Sequence, residues 1–147
     1  MPWKPNVTVA AVVAQEGKFL LVEERTEQGI RFNQPAGHLE ANESLVAAVV
    51  RETLEETACP FTPRWLIGVY RWPHPTRPVT YLRFAFAGTV GEPLGQTLDT
   101  GILSARWYGL DEIRATAGRH RSPLVLRCIE DYLSGRRYPL DILVHYD

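Results

Sequence analysis

Between residues 44 and 57 the chain repeats Val46, Val49, Val50 and Leu54 at helical spacing, and Pro60 stops the repeat. At about 100° per residue, Glu52, Glu55 and Glu56 fall within an arc of roughly 100° on the opposite side of the same helix. No other feature constrains the fold as much: one face of this helix must lie on an apolar layer, and the other must meet water or a cation. Left bare, the acidic stripe is costly. Like charges at i,i+4 destabilise by a few tenths of a kcal/mol, and glutamates in the last turns oppose the helix dipole by about 0.3–1 kcal/mol each. A bound cation removes both penalties. Hard carboxylate oxygens without a neighbouring His or Cys point to Mg²⁺ or Mn²⁺ rather than zinc. Taken alone, the three glutamates are equally read as a solvated face.

The segments around this helix read mainly as strands. Residues 7–14 and 19–23 are apolar or β-branched runs separated by Gln15-Glu16-Gly17-Lys18, a turn composition, and together they predict a hairpin. A short strand at 31–34 precedes Pro35-Ala36-Gly37. Residues 65–71 and 80–90 predict two more strands, the second alternating Tyr81, Arg83, Ala85 and Ala87 against Leu82, Phe84 and Phe86. Residues 91–101 are Gly/Pro-rich and irregular. A strand at 105–108, a short helix at 111–117 and a last helix at 122–133 complete the chain. Strands and helices mixed without strict alternation favour an α/β fold with a mixed sheet covered by helices. Nothing resembling a linker or a repeat divides residues 1–147, so one domain is expected.

Composition narrows the function classes. A chain of 147 residues that is 45% hydrophobic and 22% charged can bury its own core, which excludes a disordered tail, a collagen-like fibre and a disulfide-dense miniature. A net charge of −1 offers no general attraction to nucleic acid or anionic lipid, so neither is an expected partner. The apolar run at 7–14 is less than half of what a bilayer requires and lacks a basic leader, so it reads as a strand. Cys59 and Cys128 predict two buried thiols of a reducing, cytoplasmic setting. Of the sixteen Lys and Arg residues only Lys4 and Lys18 are lysines, leaving fourteen arginines. Arginine suits bidentate phosphate and carboxylate binding, although composition bias accounts for the excess as well.

The stretch from Gly37 through Glu43, Arg51, Glu52, Glu55 and Glu56 to Cys59 resembles the Nudix box, Gly-x5-Glu-x7-Arg-Glu-U-x-Glu-Glu-x-Gly-U, where U is a bulky aliphatic. Every charged position and the first glycine match. Thr53 replaces an aliphatic, and its methyl can still pack. Ala58 replaces the second glycine, so the turn after the helix must avoid positive φ or accept strain. Outside the box, Pro5–Ala10, Asn33–Glu40, Arg121-Ser-Pro-Leu-Val and Ser134-Gly-Arg-Arg-Tyr-Pro-Leu140 resemble the NudJ branch of Nudix phosphatases. The resemblance implies an α/β/α sandwich in which the box forms a loop–helix–loop. It also implies a cytoplasmic, Mg²⁺-dependent hydrolase of nucleoside tri- and diphosphates and of the pyrophosphate ester of the thiamine pyrimidine precursor. It implies metal binding by the Gly37 carbonyl, Glu52, Glu55 and Glu56, with Glu52 the first candidate for general base and Glu55 the second. Arg51 would orient a glutamate.

Other residues keep two readings. Gly37 permits a backbone conformation that exposes its carbonyl, and Glu43, expected in the first helical turn, complements the dipole. His38 contacts a phosphate or acts as a hinge. Gln34 and Glu40 flank the loop and are expected to shape the substrate pocket. Tyr70 and Trp72 stack a base or cap a sheet edge. Asp99 supplies a further metal carboxylate or stabilises a turn. Trp107 is expected in the core. A pyrophosphohydrolase of the MutT type and a ligand-sensing Nudix module are the alternative functions, and a monomer or homodimer the expected assembly.

Overall fold

In the computed structural model, which describes residues 2–147, the apolar run near the N-terminus divides. β1 (Asn6–Val12) and β3 (Lys18–Thr26) enter different sheets, and only the two-residue β2 (Ala14–Gln15) folds back on Lys18 and Phe19. The predicted hairpin is therefore confined to its tip. β1 is buried on both faces from Thr8 onward, the pattern of a central strand. Glu16 and Gly17, at φ 52° and 76°, turn the chain away into the second sheet.

The first sheet runs β5 (Ala36–His38), β1, β7 (Thr80–Val90), β6 (Phe61–Pro73), with β1 and β7 parallel and the other pairs antiparallel. The second is antiparallel: β3 pairs with β4 (Gly29–Asn33) and with β8 (Ile102–Gly109). The expected mixed sheet is thus present, joined by an antiparallel partner. β7 keeps its predicted bounds, while β6 and β8 extend beyond the predicted 65–71 and 105–108.

α1 (Leu45–Thr57) covers one face of the mixed sheet, setting Ala48 and Val49 against Val9, Ala11 and Phe86. α3 (Leu124–Leu133) covers the other, setting Val125, Cys128 and Ile129 against Val12, Ile67, Ala85 and Ala87. The alternation of β7 is this division of its side chains between two cores. Ile113 of α2 (Leu110–Ala115) joins the α3 side. Each fully buried Phe or Ile contributes about 1.5–3 kcal/mol. Cys59 and Cys128 are both free and buried.

The buried face of α1 is rotated from the predicted one: Ala48, Val49, Thr53, Glu56 and Thr57 are innermost, Val46 and Val50 pack at the margin, and Leu54 is half-buried. Polar residues can be buried there because the Thr53 hydroxyl donates to the Val49 carbonyl and the Thr57 hydroxyl to the Thr53 carbonyl, both at 2.7 Å. The rotation carries Glu52 and Glu56 toward β5, the edge strand of the sheet. Among the described residues no helix is long and apolar enough to cross a membrane.

Candidate active site

Ser44 caps α1, its hydroxyl accepting from the Ala47 N–H at 3.0 Å. Glu43 precedes this cap, so it is not in the first helical turn as expected, and dipole complementation is not its role. Its carboxylate instead accepts from the Glu40 N–H at 2.9 Å and from Arg51 at 2.7 and 3.0 Å. Arg51 also reaches Glu52 at 2.7 Å, Glu40 at 3.2 Å, Glu55 at 3.3 Å and the His38 carbonyl at 3.0 Å. One guanidinium therefore ties the loop before the helix to the acidic stripe on it. The hydrogen bonds from Arg51 hold the Glu43 carboxyl below its usual range, while burial pushes Glu52 up.

Gly37 lies in β5 without a left-handed φ, so backbone freedom is not what requires it. A Cβ at this position would collide with the Glu52 carboxylate, and the glycine is needed for that close approach. Glu56 is buried against the same strand and accepts from the Ala36 N–H at 3.0 Å, capping the outer edge of β5. Burial, with Glu24, Glu52 and Asp99 adding to it, pushes its pKa up to about 9. Among the described residues neither Glu56 nor Asp99 has a cationic side chain within 4 Å. Asp99 keeps both readings open: an oxygen from each of Glu52, Glu55 and Asp99 lies within 4.8 Å of the others, and the Asp99 carbonyl accepts from the Ile102 N–H at 3.0 Å in the turn. The Asp99 N–H donating to the Glu55 carbonyl at 3.0 Å anchors the irregular 91–101 segment there. These hard oxygens, in excess over the single Arg51, suit a divalent cation.

A cleft of about 660 Å³ opens beside this stripe. Gly37, His38, Glu40, Glu52, Glu56 and Trp72 line it, all named by the sequence. Two predicted substrate contacts do not line it. Gln34 is only 1% exposed and lies beneath, donating to the Val125 carbonyl at 2.7 Å. Tyr70 faces α3, where its hydroxyl donates to Asp131 at 2.7 Å. Trp72 lies near-parallel to Tyr81, ring centroids 6.0 Å apart. The cleft is also lined by Arg25, Arg77, Arg83 and Arg121, which sequence reasoning missed as site residues, and by Glu24, which pairs with Arg121 at 2.8 Å. Their one signal was the arginine excess, which carries no positions. Trp107 packs against the α1-side core as expected.

A NUDIX domain family model matches residues 3–128. The chain is 45% identical over 142 residues to Phosphatase NudJ of Escherichia coli K12, covering 96% of this chain and 92% of that one. A NUDIX hydrolase of known structure from Nitrosomonas europaea is 54% identical, superposes with a TM-score of 0.94, and the match covers 97% and 98% of the two chains. A UDP-X diphosphatase structure, at 18% identity and a TM-score of 0.75, shares the fold.

Proposed function

This chain belongs to the Nudix family of hydrolases, and from that premise we propose that it hydrolyses the phosphoanhydride bonds of nucleoside tri- and diphosphates with Mg²⁺, releasing orthophosphate. The observation that carries the reading is one cleft whose lining brings the Glu52 and Glu56 carboxylates together with four arginines. A metal–polyphosphate substrate calls for both groups in one place, because the cation needs hard anionic oxygens while the phosphates need bidentate donors. Phosphatase NudJ supports the choice of orthophosphate as product.

Glu52, Glu55, Glu56 and the Gly37 carbonyl would hold the cation, and the position of Asp99 adds it to that set. A divalent ion, when bound, neutralises phosphoryl charge and lowers the pKa of the attacking water. Glu52 is the first choice for accepting the water's proton, because it lines the cleft against Gly37, and Glu55 is the second. Arg51 is a positioning residue: its donors are all taken up by Glu40, Glu43, Glu52, Glu55 and His38. His38 and Glu40 border the phosphates. The base lies on Trp72, and Tyr70 acts only by packing behind it. The same reading makes residues 1–147 a single cytoplasmic domain acting on small molecules.

The test is to incubate GTP with the protein and Mg²⁺ and follow phosphate, pyrophosphate, GDP and GMP over time. Early orthophosphate with transient GDP is expected. Pyrophosphate and GMP appearing together, with GDP neither accumulating nor consumed, would establish the MutT-type alternative instead.

A further inference from the structure

Arg83 is 6% exposed, yet among the described residues no carboxylate lies within 4 Å of it. Its partners are neutral. Nη1 donates to Gln34 Oε1 at 2.8 Å and contacts the Cys128 sulfur at 3.8 Å, and Nη2 donates to Asn33 Oδ1 at 2.9 Å. A buried cation without an anion costs several kcal/mol unless something matches it. Every side-chain nitrogen fully shielded from solvent has a partner. The Arg83 Nε–H donates to no protein group, so solvent reaches it, and the cleft that Arg83 lines is where it opens.

The sheet register locates this group. His38, Thr8, Arg83 and Tyr70 are paired across four strands and point to one face. Arg83 thus stands two strands, about 10 Å, inward from His38 on the face that α3 covers, while Gly37, on the other face of the same edge strand, meets Glu52. The cleft residues around it, Thr8, Asn33 and Leu124, are all buried, so the guanidinium is confined. The end of a molecule fits so confined a place more readily than a group esterified on both sides. Of the phosphates of a nucleotide chain, the terminal one carries the most charge and three free oxygens, and so best answers a buried guanidinium whose Nη groups are already engaged by neutral amides.

Resting on the hydrolase reading above, we propose that Arg83 is the seat of the substrate's terminal phosphate, positioned by Asn33 and Gln34, and that it restricts the enzyme to substrates ending in an unesterified phosphate. Gln34, expected at the pocket and found beneath it, acts here by holding the guanidinium.

The experiment uses the full chain with Mg²⁺ and reads Tm against inorganic phosphate, then kcat and KM for a nucleoside triphosphate and for its γ-methyl ester. Phosphate is expected to raise Tm by mass action in the native protein and to leave Arg83→Gln unmoved. The free-ended substrate is expected to be favoured about 10²-fold in kcat/KM, and Arg83→Gln to lose that preference. Asn33→Asp places a carboxylate on the guanidinium: it is expected to raise Tm, raise KM and abolish the phosphate shift, and it stands as the test if Arg83→Gln does not fold. Phosphate protection undiminished in either variant, or equal turnover of the ester in the native protein, would overturn the proposal. A native protein that hydrolyses no nucleotide would refute the hydrolase reading while leaving the phosphate shift to decide for or against Arg83.

Discussion

At the scale of single residues, Glu56 sets stability against activity. Its carboxyl is buried, accepts one backbone N–H and has no cation beside it. With a pKa near 9, keeping it ionised at neutral pH without metal costs on the order of 3 kcal/mol, so it is held neutral or at a loss. Glu56→Gln keeps the acceptor for Ala36 and removes the charge. In EDTA the variant is therefore expected to melt several degrees above the native chain, since about 1 kcal/mol moves Tm by some 2–4 °C at this size. With Mg²⁺ its kcat is expected to fall by at least about 10²-fold. Calorimetry in EDTA and steady-state kinetics check the two halves. A lower Tm would show that the carboxylate is a structural acceptor whose charge is matched elsewhere, and unchanged kcat would remove it from the site.

At the scale of elements, the turn after α1 answers the question that Ala58 raised in the sequence. It accepts the strain: φ is 62° and ψ 9°, with the Ala58 N–H donating to the Leu54 carbonyl at 2.8 Å and the Ala58 carbonyl accepting from Leu94 at 2.9 Å. Ala58→Gly relieves about 1–2 kcal/mol of left-handed strain but gives up a buried methyl, about 0.8 kcal/mol, and adds roughly 0.5–1 kcal/mol of chain entropy. The terms nearly cancel, and stability is expected to stay within about 1 kcal/mol of native. Ala58→Val has no such compensation, because a β-branched residue is an outlier at this φ, and a loss above about 2 kcal/mol by urea denaturation is expected. α1, its acidic stripe and β7 were legible in the sequence because caps, helical spacing and alternation are local signals. The surroundings of Gln34, Arg83 and Tyr70 were not, because their partners lie 91, 49 and 61 residues away in sequence. The predicted hairpin failed for a related reason: local turn chemistry is satisfied by β2 and β3 alone, and only the partners of β1 on β5 and β7 show that it leaves for another sheet.

At the scale of the whole molecule, the two sheets and two covering helices fix the phosphate end of the cleft and leave its other end loosely specified. The carboxylates stand on a capped helix and the buried arginine on a central strand, so the groups proposed for metal and phosphate stand on rigid elements. The aromatic end is different. Trp72 offers a stacking face backed by Tyr81, and stacking accepts any base, at about 1–3 kcal/mol each. Reading a base edge needs amide or carboxylate groups held in place. Of the two carboxamides lining the cleft, Asn33 is committed to Arg83 and Gln28 is exposed on the turn between β3 and β4. An exposed, rotamer-rich side chain gives up conformational entropy to make the contact, and little discrimination is left. Values of kcat/KM across the common nucleoside triphosphates are accordingly expected to lie within about tenfold, or 1.4 kcal/mol. Trp72→Ala is expected to raise KM for all of them alike while leaving kcat on inorganic tripolyphosphate, which has no base to stack, unchanged. A thousandfold preference for one base would point to a fixed edge-reading group such as Glu24, held by Arg121 at 2.8 Å in the same cleft, and would move recognition away from Trp72.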